Sequence, residues 1–341
     1  MRSTALGWAL CVLGCFDPAA MVGGDTTGEP DETTSSASSA SSSTSSSSDE
    51  SSSTTSDDSS TSAATTTGDS SSESSTTTST LVPCDEDEPF SPPVVIPGLD
   101  TDNNEDRAWL SDDELTIYVS SNREGDYQIY SAGRDAIDDD FGELALLAGD
   151  GDEQRGPAMT ADGLALFVGA GPSGGDYDLM VAVRGNPLAE FGAFEPVNGV
   201  NSTAIDRAPW IDDDASTLYF ESYRDGTLDI FRTTREAGGA FEIPEPVVEL
   251  VTESEDGAPV LQAGGLVLWF ASNREGGVGD YDVWVATRST EADGFGEPIN
   301  VPEVGSDAID WPTWVSSDGC RLYLASRRDG GDFDLMLAER G

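Results

Sequence analysis

The sequence predicts an all-β fold, a propeller of five four-stranded blades closed by an N-terminal strand, and three observations carry that reading. One pattern occurs five times: TIYVSSNREGDYQIYSAGR from Thr116, ALFVGAGPSGGDYDLMVAVR from Ala165, TLYFESYRDGTLDIFRTTR from Thr217, LVLWFASNREGGVGDYDVWVATR from Leu266 and RLYLASRRDGGDFDLMLAER from Arg321. Measured at Ile129, Leu179, Ile230, Val283 and Leu335, the spacings are 50, 51, 53 and 52 residues, a period at which each unit buries its apolar faces only against its neighbours. Runs such as Leu218-Tyr219-Phe220 and Leu268-Trp269-Phe270 need cover on both faces of a strand, and Gly, Asn and Asp bound them. The third observation is a displaced segment. The first four repeats end in a Phe-led, often Pro-containing stretch, whereas the copy matching the fifth, Phe90-Ser91-Pro92-Pro93-Val94-Val95, stands ahead of the first. Circular closure reconciles the count, with this strand completing the last blade and covering its edge.

Taken in order, residues 1–15, MRSTALGWALCVLGC, join one positive charge to a short apolar run and read as an export signal. The run is too short for a permanent span, which needs about 20 apolar residues. Its ending, Val12-Leu13-Gly14-Cys15, resembles a bacterial lipobox, which implies diacylation of Cys15 at the mature N-terminus; an ordinary secretory signal cleaved elsewhere is the competing reading. Phe16 after the Cys, in place of Asp, points to the outer membrane or cell surface. Residues 16–83 are dominated by Ser, Thr, Asp, Glu, Gly and Ala and bury too little apolar surface to offset chain entropy, so they read as a disordered, acidic tether. Residues 84–341 form the propeller.

Each repeat supplies a first strand such as Pro209-Trp210-Ile211, a second such as Leu218-Tyr219-Phe220, and a third such as Tyr127-Gln128-Ile129. A fourth follows, as in Phe194-Glu195-Pro196-Val197 and Phe295-Gly296-Glu297-Pro298-Ile299, where Pro argues for an outer edge. The acidic turn, the L-Y-F-x-S-x-R-x-G second strand and the D-Y-D-L third strand resemble the WD40-like repeat of TolB-type β-propellers over residues 90–340. The resemblance implies a periplasmic or surface-exposed propeller used for protein contacts. It also leaves six blades open, the number in that family.

Composition narrows the chemistry. There are 65 acidic residues against 16 basic ones, all of them Arg, for a formal charge of −49 with no His. Such a surface repels nucleic acid and anionic headgroups, so membrane contact is expected through the lipid anchor alone. Without His there is no Ser-His-Asp triad and none of the usual His-containing zinc sites, which leaves carboxylate chemistry of the glycosidase kind. Acidic residues recur before the first strands at Asp106, Glu153, Asp206, Glu255 or Asp256, and Asp310, one per blade, which suits scaffolding better than catalysis. Arg123, Arg224, Arg274 and Arg328 recur at one position, and a second series comprises Arg134, Arg184, Arg235, Arg288 and Arg340. Asp178, Asp229, Asp282 and Asp334 are the expected partners of the guanidiniums. Cys84 and Cys320 flank the repeats and are expected to form a disulfide in an exported protein. Calcium is the one cofactor left open, through the alternating Asp100, Asp102, Asn104 and Asp106, although Glu105 and Ser111 break the loop pattern. Trp311, unique to the fifth repeat, is either a binding anchor or a filler between blades. The expected whole is a monomeric, non-catalytic envelope lipoprotein that binds or scaffolds a protein, with a carbohydrate-binding or glycan-cleaving propeller as the alternative. Mass spectrometry of the protein isolated from its membrane fraction should find Cys15 as an acylated first residue, and Cys15→Ala should release the protein to the soluble fraction.

Overall fold

The computed structural model describes residues 84–85, 88–99, 101–148 and 152–341; the expectations for Cys15, the signal peptide, the tether and Asp100 fall outside them. The described residues form five four-stranded antiparallel sheets arranged as a propeller, so the blade number is five. A two-residue strand, β1 (Val94–Val95), comes first. Blade one is β2 (Glu105–Leu110), β3 (Thr116–Ser121), β4 (Gln128–Gly133) and β5 (Ala145–Ala148). Blade two is β6 (Glu153–Met159), β7 (Ala165–Gly171), β8 (Asp178–Val183) and β9 (Glu195–Pro196). Blade three is β10 (Asp206–Ile211), β11 (Thr217–Ser222), β12 (Asp229–Thr234) and β13 (Glu245–Pro246). Blade four is β14 (Asp256–Gln262), β15 (Val267–Ser272), β16 (Asp282–Thr287) and β17 (Ile299–Asn300). Blade five is β18 (Asp310–Val315), β19 (Arg321–Ser326) and β20 (Asp334–Glu339), finished by β1, which pairs Val94 with Leu337 and Val95 with Met336.

The apolar clusters lie between blades rather than within them. Leu218, Phe220 and Phe231 of blade three meet Phe167 and Leu179 of blade two, while Tyr219 and Ile230 on the other face meet Leu268, Phe270 and Trp284 of blade four. That is why the second strands carry consecutive large apolar residues: both faces are cores. Each fully buried Leu, Ile or Phe contributes roughly 1.5–3 kcal/mol. One backbone hydrogen bond also crosses every seam, from an N–H at the start of a first strand to a carbonyl just before the preceding blade's third strand. It recurs as Gln154 to Tyr127, Asp206 to Tyr177, Asp256 to Leu228 and Asp310 to Tyr281, and the ring-closing seam has its own, Glu105 to Phe333 at 2.8 Å.

The second arginine series repeats a single contact. Nε of Arg134, Arg184, Arg235, Arg288 and Arg340 donates to the carbonyls of Glu114, Gly163, Ala215, Gly265 and Gly319 at 2.6–2.8 Å. All five acceptor residues have φ between 57° and 82°, a left-handed turn that aims the carbonyl at the guanidinium. The guanidinium planes lie over Phe141, Phe191, Phe241, Phe295 and Phe90 at 4.3–4.6 Å from the ring centroids. Each phenylalanine stands four residues before its fourth strand, so Phe191 rather than Phe194 is the recurring one in blade two. Phe90, met 250 residues from Arg340 in the chain, takes the same place in blade five. Glu114 adds a polar clasp to this seam, accepting from Arg321 Nε at 2.7 Å and from the Tyr323 hydroxyl at 2.9 Å across blades one and five.

Cys84 and Cys320 are joined by a disulfide, with Cα atoms 5.9 Å apart at a sequence separation of 236 residues. Closing so long a loop restricts the unfolded chain by about 5 kcal/mol in the chain-entropy model. Replacing either cysteine by Ser should lower the unfolding free energy by about 2–5 kcal/mol in denaturant titrations, and reductant should reproduce the loss in the wild-type protein.

Candidate functional site

The innermost strands β2, β6, β10, β14 and β18 meet at the axis, where Arg107, Ala108, Gly156, Pro157, Ala208, Pro209, Ala258, Pro259, Pro312 and Thr313 leave a cavity of only about 20 Å³. The centre is therefore plugged. Gly156, Ala208 and Ala258 occupy equivalent bulged positions with φ of 62°, 50° and 51°. A Cβ on Gly156 would come 3.3 Å from the Ala208 Cα, so the plug leaves space for nothing larger. The two mouths of the channel are separate sites.

On the face where the first strands begin, each blade holds a buried carboxylate. Asp206, Asp256 and Asp310 accept from Arg224, Arg274 and Arg328 at 2.6–2.7 Å, and Glu105 accepts from Arg123 at 3.2 Å. These are the partners of the first arginine series, 18 residues earlier in the chain, and they correct the expected pairing with Asp178, Asp229, Asp282 and Asp334. The physical reason is local: Nε of each arginine donates to the Ser two residues before it, at 2.9–3.2 Å, which folds the guanidinium back toward the first strand. Asp178, Asp229, Asp282 and Asp334 instead open the third strands, and the Asp282 carboxylate caps the N–H groups of Val278 and Gly279. Blade one uses Glu105 in this role rather than Asp106, and blade four Asp256 rather than Glu255. Burial pushes the Glu105 and Asp256 carboxyls above their ordinary range against the opposing pull of their Ser and Arg hydrogen bonds. Blade two lacks the arginine, and Ser173, Tyr177 and Arg155 hold Glu153 instead.

Nearer the axis on this face, guanidiniums and carboxylates interlock. Glu221, 2% exposed, accepts from Arg207 Nε at 2.6 Å and the Ala258 N–H at 2.7 Å, with Arg107 reaching it from blade one at 3.5 Å. Gly257 makes room for this carboxylate, since a Cβ there would collide with it. Burial pushes Glu221 up, but Arg207 and Arg107 outweigh burial and hold its carboxyl below the ordinary range. Arg155 binds Asp106 at 2.8 Å and lies 3.5 Å over the Tyr127 ring. Trp311 is half-buried here, stacked on Phe333 at 4.4 Å with the Arg107 guanidinium 4.5 Å from its ring, so its surface is taken up by packing. The alternating run considered for calcium does not continue as a loop, because Glu105–Leu110 is a strand. Asn104 bonds Asp332 and the Phe333 N–H, Asp106 bonds Ser120 and Arg155, and Asp102 is exposed; no cluster of three metal-ligating side chains exists among the described residues.

The opposite mouth is open. A cup of about 570 Å³ is lined by residues of all five blades. Trp109, Trp210 and Trp314 wall it at equivalent positions of β2, β10 and β18, each set at an angle against Tyr118, Tyr219 or Tyr323 at 5.5–6.1 Å. The carboxylates on its rim are Asp112, Asp212, Asp213, Asp214 and Glu291. Burial first, then Asp112, Asp212 and Asp214, push Asp213 above its ordinary range. Three buried polar atoms here have no protein partner: Asp212 Oδ1, the Tyr219 hydroxyl and Arg232 Nε. Arg288 is committed to the carbonyls of Gly265 and Glu291 and to the Phe295 ring. Asp213 and Asp214 also border an adjoining groove of about 220 Å³ that contains Asp162 and Arg184. The sequence signal for this cup was large aromatics at one first-strand position followed by acidic turns; periodicity made them look like ordinary core.

No family model matches the chain, and no curated protein does. Solved structures of similar fold include TolB from Acinetobacter baumannii, at 16% identity over 74% of this chain with a TM-score of 0.42; this chain spans 55% of that protein. A protein assigned as TolB from Agrobacterium tumefaciens matches at 15% identity and TM-score 0.44, over 69% of this chain and 74% of its own. The endo-arabinase of Bacteroides thetaiotaomicron matches at 12% identity and TM-score 0.48, over 74% of this chain and 98% of its own. What these likenesses share with the chain is the β-propeller fold.

Glu221→Gln should leave Arg107 and Arg207 without the carboxylate they share, with only Asp106 nearby, and cost about 3–5 kcal/mol at neutral pH in denaturant unfolding. Because the folded-state pKa of Glu221 is depressed, its contribution is present above its unfolded value and is lost as pH falls through the folded one. The gap between wild type and variant should therefore begin to narrow only below the ordinary glutamate range and close as pH falls further, through the depressed folded value.

Proposed function

We propose that the chain is an exported, lipid-tethered envelope protein whose propeller is a non-catalytic binding module, with the tryptophan-lined cup as its contact site for a protein partner. The observation that carries this reading is the division between the two mouths. The carboxylates that recur in every blade are buried and bound to Arg, Ser or Tyr of their own blade, so they serve as fasteners. The cup, in contrast, is open, aromatic and assembled from strand ends and turns of the five blades, within the 300–1,000 Å³ range of ligand pockets. A tether before Cys84 suits a module that must reach a partner at the cell surface.

A carbohydrate-binding or glycan-cleaving propeller is the second reading, favoured by one observation. Asp112 and Asp213 come from different blades into the same cup, and the raised carboxyl of Asp213 beside Asp112 is the arrangement from which an acid and a base are made. The two readings separate cleanly. The purified full chain, incubated with aryl glycosides, arabinan, xylan and peptidoglycan fragments, should release no product, while cross-linking in intact cells should join it to an envelope protein through the cup. Glycoside turnover abolished by Asp213→Asn would overturn the non-catalytic reading.

A further inference from the structure

The chemistry of the cup goes beyond the presence of a binding site, and it rests on the binding-module reading above. We infer that the cup receives a basic segment of the partner protein, inserting a Lys or Arg side chain among Trp109, Trp210 and Trp314 while the segment's backbone lies against Arg232.

Four features converge on that ligand. Indole faces attract cations through their ring quadrupoles, more strongly than Tyr or Phe, and three indoles from three blades line one cavity. Carboxylates at the rim surround them. Asp112, Asp213 and Asp214 are exposed, whereas the nearby Arg288 is already held by two carbonyls and a phenylalanine ring. Third, the unpartnered buried atoms are complementary to a basic peptide. Asp212 Oδ1 lacks a donor, which an ammonium or guanidinium supplies; Arg232 Nε lacks an acceptor, which a peptide carbonyl supplies and a bare amine does not. Finally, the crowding of Asp213 by Asp112, Asp212 and Asp214 is repulsion that an inserted cation relieves.

The occupant is a foreign chain. A second copy carries the same charge of −49 and has no Lys, so two copies repel at every approach. The acidic groove beside the cup, sharing Asp213 and Asp214 and adding Asp162, extends the complementary surface to residues flanking the inserted side chain. A neutral glycan would meet the same indoles but gain nothing from the rim, and the difference is measurable.

The test uses the purified full chain and four probes in calorimetry: an octapeptide of alternating Lys and Ala, the Arg and Nε-acetyl-lysine versions, and a neutral arabino-oligosaccharide. The Lys and Arg peptides should bind with one site per chain. Affinity should fall at least tenfold between 50 and 300 mM salt and at least tenfold in Asp112→Asn/Asp213→Asn/Asp214→Asn, whose substitutions sit on exposed turns and spare the core. The acetylated peptide should bind at least tenfold more weakly than the Lys peptide. Trp314→Leu should abolish binding, with its melting curve checked beside it, and the triple Asn variant keeps the inference testable if the Trp variant unfolds. Equal binding of the acetylated and Lys peptides, saturable binding of the oligosaccharide that the Asn variant leaves unchanged, or no saturable peptide binding would each overturn the inference. A partner cross-linked equally well by wild type and the triple Asn variant would overturn it while leaving the binding-module reading intact; glycoside turnover would remove that reading itself.

Discussion

The guanidinium laid on a phenylalanine, with its Nε on a left-handed carbonyl, is the contact on which the rest of the ring depends. The fourth strands of blades two to five make only two residue pairs each, too few to hold their own register. The arginine that follows each third strand ties together the first turn, the third strand's end and the approach to the fourth, so one planar group fixes three segments. Lysine lacks the fork and the flat face that this requires. The absence of Lys from the chain thereby acquires a structural meaning, since nearly every cation among the described residues is spent on fastening.

The charge distribution follows from the same use. With most arginines drawn into these contacts, the exposed charge among the described residues is largely carboxylate. Two mouths of one channel then differ in kind. One is filled by Glu221, Arg207, Arg107, Arg155 and Asp106; the other stays open because its positions carry indoles set against tyrosines rather than groups that can neutralise each other. The plug between them keeps the two from sharing a ligand.

How much of this was legible in the sequence depended on whether a feature repeats. Strand positions, blade order and the closing role of Phe90 to Val95 follow from a period, because each copy constrains the others. Partner choice does not. Asp282 and Asp256 are both acidic and both recur, and only the hydrogen bond from Arg274 Nε to Ser272 decides which way the guanidinium turns. The cup was hidden for the opposite reason. Trp109, Trp210 and Trp314 sit at a position whose other occupants, Ala158 and Val260, are plain core residues, and the mouth becomes visible only when five inner strands are brought to one axis. Blade two shows the limit of averaging: Gln154 stands where the other blades carry the carboxylate, the acid is Glu153 one place earlier, and Ser173 and Tyr177 bond it in the absence of the arginine.

The position of the disulfide also has a mechanical side. Cys84 precedes β1 and is bonded to Cys320 in the turn that leads into β19, so a pull applied to the chain ahead of Cys84 enters the fold through a covalent bond. The two backbone pairs of Val94 and Val95, as short a joint as the fourth strands of blades two to four make, lie beyond that bond. Force is delivered instead to the edge of a three-strand hairpin whose partners are paired along six residues. A pull at this end is thus taken up at the surface of blade five before it reaches the closing strand.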